Sequence, residues 1–230
     1  DNVKNVSVIF QDGVKFSNLS LFTPQNDVEY DVTAERDSKL KIRSIQFDKV
    51  DTSGMTDSQY LFKNGNALKV IKGLENFDTS NLEKMNEMFS GTGIKSLDLS
   101  GWDTSNVTSM QYMFANMSML ESLDISGWNL NSVPVMDDMF KQTTLVQLRM
   151  DDWDLSNPRY KDLEEIKTHI FAQRPTTFGE LSAVNWKVPY LITTKNLFSN
   201  VYYKKIDIHG WDTPNLQSMD SMFSYNNVVT

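Results

Sequence analysis

Leu97-Asp98-Leu99-Ser100-Gly101-Trp102-Asp103-Thr104-Ser105-Asn106-Val107-Thr108-Ser109-Met110-Gln111-Tyr112-Met113-Phe114 decides the fold, because the chain keeps repeating it. The core phrase Trp102-Asp103-Thr104-Ser105-Asn106-Val107 matches Phe77-Asp78-Thr79-Ser80-Asn81-Leu82 before it. After it come Trp128-Asn129-Leu130-Asn131-Ser132-Val133, Trp153-Asp154-Leu155-Ser156-Asn157 and Trp211-Asp212-Thr213-Pro214-Asn215-Leu216. Weaker copies start at Val50 and Trp186. The starts 50, 77, 102, 128, 153, 186 and 211 are 27, 25, 26, 25, 33 and 25 residues apart. A phenylalanine follows each start by twelve residues, as Phe62, Phe89, Phe114, Phe140, Phe198 and Phe223, except in the copy from Trp153. In that copy Ile170-Phe171 takes the place after an insertion. A period of this length marks a stacked-repeat architecture.

Each unit has a physical reading. Leu97-Asp98-Leu99, Leu123-Asp124-Ile125, Leu148-Arg149-Met150 and Ile206-Asp207-Ile208 alternate apolar and polar, which predicts a short strand with one buried side. Ser-Gly-Trp then turns the chain. Asp-Thr-Ser-Asn offers side chains that cap a helix start. Val107, Met110, Met113 and Phe114 then fall on one stripe, as do Leu82, Met85, Met88 and Phe89, and Leu216, Met219, Met222 and Phe223, which predicts a short helix. One unit cannot bury its apolar side alone, but stacked units cover one another. The expected class is an α/β solenoid with a parallel β-sheet on the concave side and short helices on the other. Its core is read as Phe77, Trp102, Trp128, Trp153, Trp186 and Trp211 together with Phe89, Phe114, Phe140, Phe198 and Phe223.

Residues 1–41 lack the repeat and carry short β-type runs at 6–10, 14–16, 19–22 and 28–32. They are expected to form an N-terminal β cap or the end of a preceding β domain. Residues 42–230 form the solenoid, of about seven units. The opening Asp1-Asn2-Val3 is not that of a signal peptide. The strand due nine residues after Phe223 would fall at residue 232, so the natural chain is expected to continue. Within 157–183, Lys161 to Phe171 reads as a longer helix and Arg174-Pro175-Thr176-Thr177 as an exposed loop.

Composition narrows the function. The 230 residues hold 30 acidic and 22 basic side chains, a net charge of −8, and no cysteine. Thiol-based metal sites and disulfide scaffolds are excluded. The charge disfavours a nucleic-acid partner, and no apolar stretch reaches the ~18 residues of a membrane span. No acid, base or metal-ligand cluster breaks the repeat, so neither an enzyme nor a cofactor is expected. His169 and His209 read as structural or surface histidines. Gly91-Thr92-Gly93 reads as a helix-end turn, not a phosphate loop. The outward column across the strands reads Gln46, Gly73, Asp98, Asp124, Arg149, Ser182 and Asp207. A second, two residues on, reads Asp48, Glu75, Ser100, Ser126, Asp151, Val184 and His209. Asp98 and Asp124 in adjacent strands either hold a cation or stand solvated, and two carboxylates offer few ligands for calcium. The candidate ligand-binding residues are therefore Gln46, Asp98, Asp124, Arg149, Ser182 and Asp207, on a face suited to a basic protein or a glycan.

The unit at 97–114 resembles the BspA-like leucine-rich-repeat proteins of bacterial surfaces. The resemblance covers roughly residues 42–230, is closest at 77–150 and 206–223, and weakens at 50–75 and 157–200. It implies a leucine-rich-repeat fold in a secreted or cell-wall-anchored bacterial protein that adheres to host matrix, mucus or neighbouring cells. The competing expectation is a stiff stalk that presents another domain.

Overall fold

Alternation of buried and exposed side chains produces strands wherever the unit's Leu-x-Leu phrase occurs. A computed structural model of the chain describes residues 4–10, 40–133, 135–143, 145–163, 166–167 and 176–226. Its strands are β1 (Lys4–Phe10), β2 (Leu40–Phe47), β3 (Val70–Lys72), β4 (Ser96–Asp98), β5 (Ser122–Asp124), β6 (Leu145–Arg149), β7 (Thr176–Ser182) and β8 (Val201–Asp207). All described pairings are parallel, in two sheets ordered β1-β2-β3 and β4-β5-β6-β7-β8. Further parallel bridges link Asp57, Lys84, Ser109 and Val135 in one column and Asn129, Asp154, Lys187 and Asp212 in another. The result is a parallel β-solenoid of about six turns.

Like side chains stack on like along the axis. Phe62, Phe89, Phe114 and Phe140 form one file with ring centres 5.3, 5.8 and 5.7 Å apart. Phe198 and Phe223 continue it at 5.9 Å. Trp153, Trp186 and Trp211 stack at 5.2 and 4.9 Å. Each tryptophan also crosses to the preceding coil with its indole N–H. Trp102 donates to the Leu74 carbonyl at 3.1 Å, Trp128 to Leu99 at 3.0 Å and Trp153 to Ile125 at 2.7 Å. Burial and a satisfied N–H thus come together. Phe77, Trp102, Trp128, Trp153, Trp186, Phe89, Phe114, Phe140 and Phe198 are buried. Trp211 is partly buried and Phe223 lies exposed.

The expected short helices do not form. Val107 to Phe114 runs through successive turns, and the described residues hold only a 3-10 turn at Leu74–Asn76 and a fragment at Ile166–Lys167. The backbone N–H groups have alternating destinations instead. Tyr60, Phe62 and Asn64 donate to Asn86, Met88 and Ser90 of the next coil, while Leu61, Lys63 and Gly65 donate three residues back. The same alternation recurs at Glu87–Gly91, Tyr112–Asn116 and Asn196–Asn200. It requires left-handed backbone at two positions per turn, four residues apart. These are Tyr60 and Asn64, Glu87 and Gly91, Tyr112 and Asn116, Asp138 and Gln142, Asn196 and Asn200, and Ser221 and Tyr225. Such residues stop an α-helix, and Gly91 therefore ends no helix.

The Asp-Thr-Ser-Asn phrase works accordingly. Asp78 accepts from the Ser80 N–H at 3.1 Å, an Asx turn. The Thr104 hydroxyl donates to the Asn129 carbonyl at 3.0 Å and accepts from its N–H at 2.9 Å. Asn106 donates from Nδ2 to the Ser80 carbonyl of the coil below at 2.7 Å. The aspartate thus turns its own coil while the threonine and asparagine clamp neighbouring coils together, and none of them caps a helix.

At the N-terminal end, β1 pairs with β2 with a bulge between Val6 and Ser7, so the first described strand extends the sheet. The runs expected at 14–16, 19–22 and 28–32, Ile170-Phe171, His169, and Arg174-Pro175 lie outside the described residues. Thr176-Thr177 belong to β7, not to a loop, because they pair in register with Val201 and Tyr202. Within Lys161 to Phe171 the described helical hydrogen bond runs from Lys167 N to Leu163 O at 3.0 Å.

Candidate functional site

Side chains at alternate positions of β4–β8 leave the core on one side of the five-stranded sheet. The backbone register aligns them as Ser96, Ser122, Gln147, Glu180 and Lys205 in one column and Asp98, Asp124, Arg149, Ser182 and Asp207 in the next. Together they line a shallow open trough of about 530 Å³.

Five of the candidate binding residues, Asp98, Asp124, Arg149, Ser182 and Asp207, thus share one row. Gln46 does not join it. It sits in the sheet of β1–β3, where its partner is Lys72, not the expected Gly73. Gly73 adopts φ 90° at the following turn, and a Cβ there would meet the Phe47 carbonyl oxygen at 2.2 Å. That turn sets the register one residue earlier than in the later coils. Sequence spacing did not reveal this, because the coil from Phe77 copies the later ones.

Arg149 organises the row. It interrupts a column of aspartates, and its guanidinium reaches two of them. Nη1 stands 3.3 Å from Asp124 Oδ2, and Nη2 and Nε donate to Asp151 Oδ2 at 2.9 and 3.2 Å. The hydrogen bonds it donates to Asp151 and the charge of Asp124 raise the Arg149 pKa further. Asp151 is buried and accepts at its other oxygen from Ser182 Oγ at 2.5 Å and Val184 N at 2.9 Å. Burial alone would raise its pKa. The bonds from Ser182, Val184 and Arg149 outweigh burial and hold it below the usual carboxylate range. Asp151 belongs to the second outward column read from the sequence, yet its role as the hub of this network had no local signature there.

The two ends of the row are simpler. Asp98 Oδ1 accepts from both the N–H and the hydroxyl of Ser100, at 3.1 and 2.7 Å. Asp207 Oδ1 lies 2.5 Å from His209 Nδ1, and the His209 side chain and N–H together lower the Asp207 pKa. His209 therefore serves as a neighbour of an outward aspartate. Asp124 has the Arg149 guanidinium as its cation. Among the described residues, no group of three or more His, Asp or Glu side chains is placed to hold a metal ion.

The arrangement offers hydrogen-bond donors, acceptors and fixed charges in register along a trough. One protein family, described as Mycoplasma protein of unknown function, DUF285, matches residues 56–178 and again residues 164–229. The chain belongs to this family. The two DUF285 matches overlap at residues 164–178 and together span the regular coils and the irregular stretch alike. No curated protein and no solved structure matches the chain. No helix among the described residues of this DUF285 protein is long and apolar enough to cross a membrane.

Proposed function

We propose that this chain is a non-catalytic binding module of a secreted or cell-wall-anchored bacterial surface protein, of the BspA-like leucine-rich-repeat kind. It adheres through the trough of β4–β8 to a protein or glycan of a host or a neighbouring cell. One observation carries the reading. Interior positions repeat the same residue types from coil to coil, whereas the outward row changes from Asp98 and Asp124 to Arg149, Ser182 and Asp207. Stacking alone asks nothing of these outward positions. The Mycoplasma family description supports a bacterial origin.

The test is saturable binding of the whole chain to arrays of matrix proteins, mucins and glycans. A ligand whose binding is lost in Arg149→Ala and Asp124→Asn, with the coils still folded by circular dichroism, supports the reading. Silence across the arrays supports the second reading, a rigid stalk. That alternative has its own support in the unbroken aromatic file from Phe62 to Phe140.

A further inference from the structure

The charges along the trough are unevenly compensated. Near its centre, Arg149 is shared by Asp124 and Asp151. Glu180 faces Lys205 across the β7–β8 register. Asp98 at one end makes no salt bridge among the described residues and bonds only its neighbour Ser100, and Asp207 at the other has the His209 ring, at 2.5 Å, beside one of its oxygens. Asp98 lies on β4 and Asp207 on β8, four strand steps apart in the sheet. At ~4.8 Å per step the two carboxylates stand about 19 Å apart.

A chain laid across the strands in extended form advances about 3.3 Å per residue, so about six residues bridge that distance. Midway, Arg149 spends three of its N–H groups on Asp124 and Asp151 and has others to offer a backbone carbonyl; its side chain is 59% exposed. A neutral sugar would gain hydrogen bonds here but no charge complementarity. Resting on the binding reading above, we propose that the occupant of the trough is an extended cationic peptide with two Lys or Arg side chains about six residues apart, one on Asp98 and one on Asp207.

Fluorescence polarisation with labelled twelve-residue peptides tests this on the whole chain. The probes carry two lysines spaced by three, six or ten residues, or none. In low salt the six-residue spacing should bind about three- to fivefold tighter than the others, since it alone engages both ends. Asp98→Asn and Asp207→Asn, both on the surface, should each weaken it about threefold and erase the preference. Equal binding at all spacings, or binding unchanged in both variants, overturns the proposal. Glycan binding that is lost in Arg149→Ala, with no peptide bound, overturns it while sparing the face as a binding site. Neither peptide, matrix protein nor glycan bound removes both.

Discussion

The coil from Trp102 and the coil from Trp211 carry nearly the same phrase, yet their side chains have different environments. Met110 is 1% exposed and its counterpart Met219 is 54% exposed. Phe114 is fully covered, whereas Phe223 is 38% exposed. The Trp102 coil has described neighbours on both sides, and the Trp211 coil has one on a single side. In this architecture burial is a property of the neighbour rather than of the residue. The core is shared between units, so the same substitution has different consequences at different heights along the axis.

The sharpest test of that contrast replaces the interior ring. Trp128→Ala should cost about 3–5 kcal/mol. Trp211→Ala, at a partly buried ring stacked on one side only, should cost less, about 2–3 kcal/mol, as read by urea unfolding followed through circular dichroism. Equal losses would mean that the coils do not share a core. Phe114→Ala against Phe223→Ala should follow the same order, at about 3–4 against about 1–2 kcal/mol. A hydroxyl test comes next. Thr104 clamps Asn129 with two hydrogen bonds, so Thr104→Val should cost about 1–3 kcal/mol by leaving the Asn129 N–H and carbonyl unmet. Thr213→Val, at the matching position of the last described coil, should be near neutral.

The smallest effect is on pH. Asp151 is depressed in the folded chain, so its contribution is complete above the unfolded carboxylate pKa, near 3.8, and is lost as pH falls through the lower folded value. Asp151→Asn should therefore narrow the gap to the parent protein below about pH 4 and leave it wide at pH 7. Unfolding titrations at both pH values check it, and a gap independent of pH would remove the carboxylate from the network.

Much of this fold was legible in the spacing. The Leu-x-Leu phrases mark β4, β5, β6 and β8, and the twelve-residue offset from Trp to Phe marks two stacked files. The helices were misread for a physical reason. A stripe at i, i+3, i+6 and i+7 satisfies a helix, and it also satisfies consecutive tight turns that point the same side chains inward. The distinguishing signal lay elsewhere, in Asn64, Gly91, Asn116 and Asn200, a column of residue types that accept left-handed backbone. Tyr60, Glu87 and Tyr112 occupy the companion column and carry no such mark, held there by the ladder to the next coil. The row of the trough was readable from period two alone. The hub at Asp151 was not, because its three partners come from β6, from β7 and from the residues just after β7.

Alternation of the backbone bonds has a mechanical consequence. The bonds between coils run along the axis, so tension applied along the axis opens them coil by coil rather than all at once. Each coil adds only about 4.8 Å to the axis. It stores about 25 residues of contour, which pull out to roughly 80–90 Å. Under load the molecule would pay out its length like line from a spool, taking up extension in steps while the remaining coils stay wound.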